Sequence, residues 1–215
     1  MFARFFLLSG LVPLILSFLV RKFLSDGPLR KQGGTELGVT GRELVERILA
    51  RNGAGHVEVV EKKRPFLVVG PEKLVLPPSL AGSRKAPEVA EAGLLAGLVL
   101  MARKQDKVVK WRAWAVKFGA SFPAFTIIVM AFALIIGRLG GSWAVAVVSA
   151  SLGLSTILLW LTLPVERAAA SLVADLLEET SVVPRRSEGE TLAALVRALG
   201  WRRIVPGAVA WLAGK

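Results

Sequence analysis

Cysteine is absent from this chain of 215 residues, and histidine occurs once, at His56. Without cysteine the chain forms no disulfide and offers no thiolate for a metal ion or for nucleophilic catalysis. A single imidazole excludes sites that need two histidines. The chain also lacks the G-x-S-x-G sequence that is typical of a serine nucleophile. Acidic residues are few, since 16 Asp and Glu accompany 28 Lys and Arg and leave a net charge of +12. Such a basic excess is typical of contact with nucleic acid or anionic lipid, or of a membrane-topology signal.

The chain contains long runs of residues without a charge. Hydrophobic residues make up 53% of it, which is high for a soluble protein. Three runs have the length of membrane spans: Phe5–Val20, Phe118–Gly137 and Leu139–Val165. A helix needs about 20 apolar residues to cross a bilayer, and the short first run is extended by snorkelling Arg21 and Lys22. We therefore predict three transmembrane helices.

The first run has a competing interpretation as a cleaved signal peptide, because Arg4 precedes its apolar core. No small-x-small cleavage site follows the core, and basic residues come next, so we favour a retained anchor. The second and third runs are joined only by Arg138–Ser142 and should form a hairpin. Small residues in Gly119–Ser121 and Gly137–Gly141 are expected to bring helices close together.

Basic residues predict the orientation of these helices. Six precede the second run, namely Arg103, Lys104, Lys107, Lys110, Arg112 and Lys117. The positive-inside rule then places residues 21–117 and the chain after the third run in the cytoplasm. Because topology explains much of the charge, and no nucleic-acid-binding motif is visible, we expect no nucleic-acid partner. The stretch Lys110–Trp114 precedes a span directly and is predicted to be an aromatic and basic interface belt.

Local signals predict a small α+β domain between the first two spans. Thr40 and Glu43 have the spacing of a capping box, and Asn52-Gly53 should end the helix that follows. Three runs rich in branched residues then predict a short β-meander, at Val57–Val60, Phe66–Val69 and Leu74–Leu76.

The segment Ala92–Ala102 has no charge, although Lys and Arg are frequent around it. It is too long for a typical strand and too short to cross a bilayer. A helix that is apolar on all sides must be buried on all sides. The neighbours available to bury it are the β-meander, the membrane surface and the stretch after the third span.

Three stretches resemble the neutral zinc metallopeptidase family of bacterial membranes, the YugP-like group. Gly38–Gly53 is similar to that family's G-x-T-G-x-E-x-A-x-x-I-L-x-x-N-G opening. Gly70–Leu76 corresponds to the strand before the catalytic helix, and Leu163–Glu166 is similar to its L-P-V-E sequence. The resemblance covers most of Arg21–Glu179 and implies a peptidase-like fold.

In that family the helix after the meander carries H-E-x-x-H, which binds zinc through two histidines one turn apart. The three motif positions correspond here to Ala96, Gly97 and Leu100, none of which can bind a metal. Of the family's site residues only Glu166 remains, as a plausible third ligand. The resemblance thus implies no catalytic residue, no metal and no cofactor.

Simpler interpretations stand beside these. His56 is expected to be an ordinary loop or strand-edge residue. Glu166 stands beside Arg167 at a membrane exit, so an interfacial ion pair or a helix start competes with a residual metal or partner contact. In the tail, the uncharged run Ile204–Gly214 is too short to span, and we predict an interfacial helix anchored by Trp201 and Trp211. A half-inserted fourth helix is the alternative.

Together these patterns predict a mainly α membrane protein: three transmembrane helices plus a small cytoplasmic α+β domain with a short β-meander and a buried apolar helix. The expected parts are an anchor at 1–24, a peptidase-like domain at 25–117, a transmembrane hairpin at 118–165, and cytoplasmic helices with an interfacial C-terminal helix at 166–215. We expect an inactive metallopeptidase homologue in the bacterial cytoplasmic membrane, acting as a scaffold or regulator. Its expected partners are the lipid bilayer and a protein, such as an active homologue. An active peptidase with an unrecognised site is the alternative, and a protein acting at the lipid surface is a third hypothesis.

Overall fold

The computed structural model describes residues 2–63, 69–179 and 182–213. These residues are mostly helical. In chain order the elements are α1 (Phe2–Arg21), a π-helical turn (Lys22–Asp26), α2 (Gly27–Lys31), α3 (Gly41–Arg51), β1 (Glu58–Glu61), β2 (Lys73–Leu76), α4 (Pro78–Ala81), α5 (Ala86–Ile135), α6 (Gly141–Glu179), α7 (Arg186–Leu199), and 3-10 helices at Arg202–Ile204 and Gly207–Ala213.

Three of the described helices are long and apolar enough to cross a membrane. The first, Phe5–Lys31, includes most of α1, and the other two are α5 and α6. Each predicted run lies in one of them, except that α5 ends at Ile135 within the second run and α6 begins at Gly141, two residues into the third run. The prediction of three helices suited to a bilayer is therefore confirmed, while their insertion and sidedness stay predictions.

The chain divides into two compact units, each assembled from separated segments. The hairpin unit comprises Met1–Phe23, Trp114–Leu163 and Arg203–Lys215. The core unit comprises Leu24–Ala113 and Pro164–Arg202.

Within the hairpin unit, α1 and α6 cross at glycine. A Cβ atom on Gly153 would lie 2.6 Å from the Cα of Gly10, and one on Gly10 would overlap the carbonyl of Ser149. Further along, the indole Nε1 of Trp160 donates to the hydroxyl of Ser17 at 2.6 Å. The closest approach thus involves glycines that the sequence analysis did not single out.

The predicted small-residue clusters behave differently from each other. A Cβ on Gly119 would lie 3.3 Å from the side chain of Leu159, so α5 and α6 are close there. Gly137, Gly140 and Gly141 have no atom within 4 Å of a built Cβ. Gly137 instead has a φ of 71°, a conformation that glycine adopts readily, and it ends the turn after α5.

The first part of α5 is the predicted apolar helix, and it is the centre of the core unit. Every residue from Ala92 to Leu100 is buried. On one side Gly93 lies against Leu44 and Ile48 of α3, and on another Gly97 lies against α6. Burial on all sides, including by the stretch after the third span, is thus confirmed. A break at Gln105 (φ −143°, ψ 64°) ends this buried segment.

Local predictions for α3 are confirmed. The Thr40 side chain accepts from the Glu43 amide, and the Glu43 carboxylate accepts from the Thr40 amide at 3.0 Å, which completes the capping box. Gly53 follows the helix with a φ of 65°. Leu44, Val45, Ile48 and Leu49 form the buried face of this helix.

The strands differ from the predicted meander. β1 and β2 pair directly and in parallel, with Glu58 opposite Lys73. A meander would place the middle strand between them and make its neighbours antiparallel. Most of the predicted middle strand, Phe66–Val69, lies outside the described residues, and Val69 forms an isolated antiparallel bridge to Leu74. The sheet therefore brings together the first and third predicted strands, which the order of the segments along the chain did not indicate.

The C-terminal segment ends in a 3-10 helix. Ile204, Val205 and Pro206 are buried, and Gly207–Ala213 is a 3-10 helix where a regular interfacial helix was expected. A Cβ on Gly207 would lie 3.2 Å from the Cβ of Ala120 on α5. Seven residues of 3-10 helix rise about 14 Å, well short of a bilayer core.

Candidate functional site

Ala96, Gly97 and Leu100, the three positions that correspond to H-E-x-x-H, lie in the buried segment of α5. Ala96 is 0% and Leu100 6% exposed, and they are one helical turn apart. Between them, Gly97 touches α6 so closely that a Cβ would lie 2.6 Å from Val173 Cγ2 and 2.7 Å from the Ala169 carbonyl oxygen. The face that would carry a zinc motif is therefore a helix–helix contact with no room for a side chain at its centre.

Glu166 lies on α6 three residues before Ala169, so the two share one helix face. Its side chain is almost fully buried. Carboxylate oxygen Oε1 accepts two hydrogen bonds from one guanidinium, from Arg112 Nε at 2.7 Å and from Arg112 Nη2 at 2.5 Å. Oε2 is also buried and makes no hydrogen bond among the described residues. The carboxylate is thus neutralised by a buried cation.

Arg112 is the residue that the sequence analysis missed. The prediction that Arg112 belongs to the interface belt is wrong, because Arg112 is 2% exposed. Its neighbours Trp111 and Trp114 are 39% and 53% exposed, as a belt requires. Helical periodicity carried a signal, since Val109 and Ala115, three residues before and after Arg112, are apolar and buried.

Arg167 is not the partner of Glu166. Its guanidinium lies 4.7 Å from the centre of the Trp201 ring, a distance typical of a cation–π contact. Glu166 is also not at a helix start, because α6 continues through Pro164 to Glu179. The helix-start interpretation of Glu166 is therefore wrong, whereas an ion pair does form, with Arg112 as the partner.

These residues do not fit a zinc ion. Ala96, Gly97 and Leu100 have no donor atom, Glu166 is bound by a cation, and His56 is exposed just before β1. Among residues 2–63, 69–179 and 182–213, no three His, Asp or Glu side chains are grouped as a metal would require.

Other charged groups of the core unit form ordinary surface pairs. Arg197 donates to Glu178 at 2.5 Å and 2.9 Å and to Asp175 at 3.2 Å. The hydrogen bond from Arg197 lowers the pKa of Glu178, and its effect exceeds that of desolvation. The same bond raises the pKa of Arg197. Because all three side chains are exposed, this group behaves as a solvated face.

Comparison with protein-family models, with curated proteins and with solved structures finds no match. Function therefore has to be inferred from the geometry of these residues.

Proposed function

We propose that the chain is a catalytically inactive, membrane-anchored homologue of the zinc metallopeptidases, and that it acts as a scaffold or regulator by binding another protein. Its soluble part then retains the architecture of an enzyme but not the chemistry. In this proposal the chain has no catalytic role and acts by binding, and its partner is a substrate protein or an active homologue.

The ion pair between Glu166 and Arg112 is the observation that carries the proposal. A carboxylate that binds zinc must offer its oxygen to the metal, whereas Oε1 accepts two bonds from Arg112. Removing that guanidinium would leave a buried charge without compensation. The close contact of Gly97 with Ala169 supports the same conclusion, because it leaves no room for a glutamate general base.

The test measures metal and activity in the full-length chain purified in detergent without a histidine tag. Elemental analysis should find well under one zinc per chain, and hydrolysis of an unstructured protein such as casein should not change with zinc or with a chelator. Glu166→Gln serves as a matched variant and should show the same zinc content and the same rate of hydrolysis as the parent chain. Stoichiometric zinc that resists chelation, or hydrolysis that a chelator stops, would overturn the proposal.

The binding part is tested separately. The tagged chain, cross-linked in native membranes and recovered, should enrich the same protein reproducibly over an unrelated bait with three membrane helices. Mass spectrometry identifies that protein. If recovery never exceeds the unrelated bait, the chain is not a scaffold, even if it also lacks zinc.

A further inference from the structure

A groove runs along the surface of the hairpin unit between α5 and α6. It extends from Phe122 to Met130 on α5 and from Val147 to Leu154 on α6, with a volume of about 400 Å³. Several of its lining side chains are largely exposed, among them Phe125 at 66% and Leu154 at 48%. The groove therefore opens sideways, towards the surroundings of the two helices.

The lining of the groove suits a hydrocarbon chain. Its two hydroxyl groups are satisfied within their own helices, since Thr126 donates to the Phe122 carbonyl at 2.9 Å and Ser151 to the Val148 carbonyl at 2.8 Å. The remaining lining side chains are apolar. A polar ligand would lose its hydration without gaining partners there, whereas an acyl chain loses nothing.

The depth of the groove matches one leaflet of a bilayer. Counted from Phe118, where the uncharged run begins, Met130 lies about 18 Å along the helix. Half of the hydrocarbon core of a bilayer is about 15 Å thick. A partner helix would cover the whole uncharged run Phe118–Gly137, but the groove covers only Phe122–Met130, about half of that run. This is the reach of a single lipid chain.

One end of the groove has an aromatic and basic entrance. Trp114 stacks on Phe118 at 5.3 Å, and Phe118 stacks on Phe122 at 4.8 Å, which gives a continuous aromatic strip into the groove. The exposed Lys117 lies on the same turn as Trp114. The hairpin unit contains no Asp or Glu, so its own charged side chains are all basic, which suits an anionic group.

We propose that this groove holds one acyl chain of an anionic phospholipid, whose phosphate lies at Lys117 and Trp114. Phosphate and ammonium charges attract each other near a membrane surface, where one lysine changes binding about fivefold. The apolar groove then selects a lipid, and Lys117 selects its headgroup charge. This proposal is independent of whether the core unit binds a metal or a protein.

Native mass spectrometry of the full-length chain, offered equal amounts of phosphatidylglycerol and phosphatidylcholine, tests the proposal. The parent chain should retain one phosphatidylglycerol molecule in preference to phosphatidylcholine. Val147→Trp fills the groove and should lose most of the retained lipid, whereas Val145→Trp, at an exposed position of the same helix outside the groove, should not. Lys117→Gln should retain lipid but lose about fivefold of its preference for phosphatidylglycerol. Lys107→Gln is the matched control for charge.

Leu154→Trp repeats the filling test at a second lining position if Val147→Trp does not fold. Equal lipid retention by the groove and control tryptophan variants would overturn the proposal. An unchanged headgroup preference in Lys117→Gln would also overturn it. If filling the groove abolishes a dimer and leaves bound lipid unchanged, the groove is an interface between two copies and the proposal is wrong.

Discussion

Arg112 and Glu166 are each 2% exposed, so folding removes two full charges from water. Desolvation of such ions costs several kcal/mol each, and mutual attraction offsets this only when the geometry is good. Here both hydrogen bonds from Arg112 to Glu166 go to one oxygen, while Oε2 makes none among the described residues. We therefore expect the pair to contribute more to the choice of contact between α5 and α6 than to net stability.

The first prediction concerns removal of one partner of this pair. Glu166→Ala should lower the free energy of unfolding by about 3–5 kcal/mol, because it removes the carboxylate that accepts two hydrogen bonds from the buried Arg112. The double variant Arg112→Met with Glu166→Leu should be clearly more stable than Glu166→Ala, since neither charge remains. Denaturant titration in detergent measures all three free energies.

Lys73→Ala is the matched control for this prediction. Lys73 also forms an ion pair, with Glu58 at 2.7 Å, but both side chains are more than half exposed. Its removal should change stability little, as is usual for surface pairs. Equal losses in Lys73→Ala and Glu166→Ala would show that burial of the Arg112–Glu166 pair has no special cost.

The second prediction compares two glycines on one helix. Gly97→Ala should lower the free energy of unfolding by about 1–3 kcal/mol, because the new Cβ meets the Ala169 backbone, which cannot move aside easily. Gly93→Ala should be tolerated better, since its closest neighbour is the flexible Leu44 side chain at 3.2 Å. Melting curves of both variants measure which of the two substitutions lowers stability more. If Gly97→Ala is the more stable of the two, α5 and α6 do not touch at this point.

At the scale of elements, the contact between α1 and α6 depends on glycine on both sides. The two helices approach so closely at Gly10 and Gly153 that their backbones are in contact. Close backbone packing of this kind is a main source of helix association within a bilayer, where burial of apolar surface gives little. The bond from Trp160 to Ser17 adds a polar contact further along the same interface.

The third prediction follows from this contact. Gly153→Leu should separate α1 from α6 and lower the melting temperature of the chain in detergent. Cysteines introduced at Ser17 and Trp160, whose present side chains touch, should be joined in the parent by a short bifunctional thiol reagent and should lose this cross-link in the Gly153→Leu background. Gly140→Leu, at a glycine with open space around it, should leave both measurements unchanged. Unchanged cross-linking in Gly153→Leu would contradict the contact.

Elements with local causes were predictable from the sequence, and contacts between distant segments were not. The Thr40 capping box, the positive φ at Gly53 and the buried apolar helix each follow from a few neighbouring residues. The parallel pairing of β1 and β2 was missed because nothing in the strand sequences sets the order of strands. Arg112 was missed because a charged residue before a span is usually exposed, and its partner is 54 residues away.

At the scale of the whole molecule, all three helices suited to a membrane contribute to the hairpin unit. The positive-inside rule predicts that the core unit lies in the cytoplasm and that the turn at Ser142 lies outside. These assignments depend on the basic residues alone, because length and apolar character say nothing about sidedness.

The fourth prediction tests this sidedness. Because the chain has no cysteine, single cysteines can be introduced at the exposed positions His56 and Ser142 without a background signal. A membrane-impermeant thiol reagent added to intact cells should label the cysteine at Ser142 and not the one at His56. Labelling of both after the membrane is opened is the control. The reverse pattern in intact cells would invert the predicted topology.

The discontinuity of the core unit also has a consequence for synthesis on the ribosome. The apolar surface at Gly97 is covered by Ala169 and Val173, which are translated more than 70 residues later, after the whole hairpin. At about 5–20 residues per second, this leaves the surface uncovered for roughly 4–14 seconds during every round of translation. During that interval an apolar helix is available for misassociation, so the nascent chain should depend on chaperones until α6 has emerged.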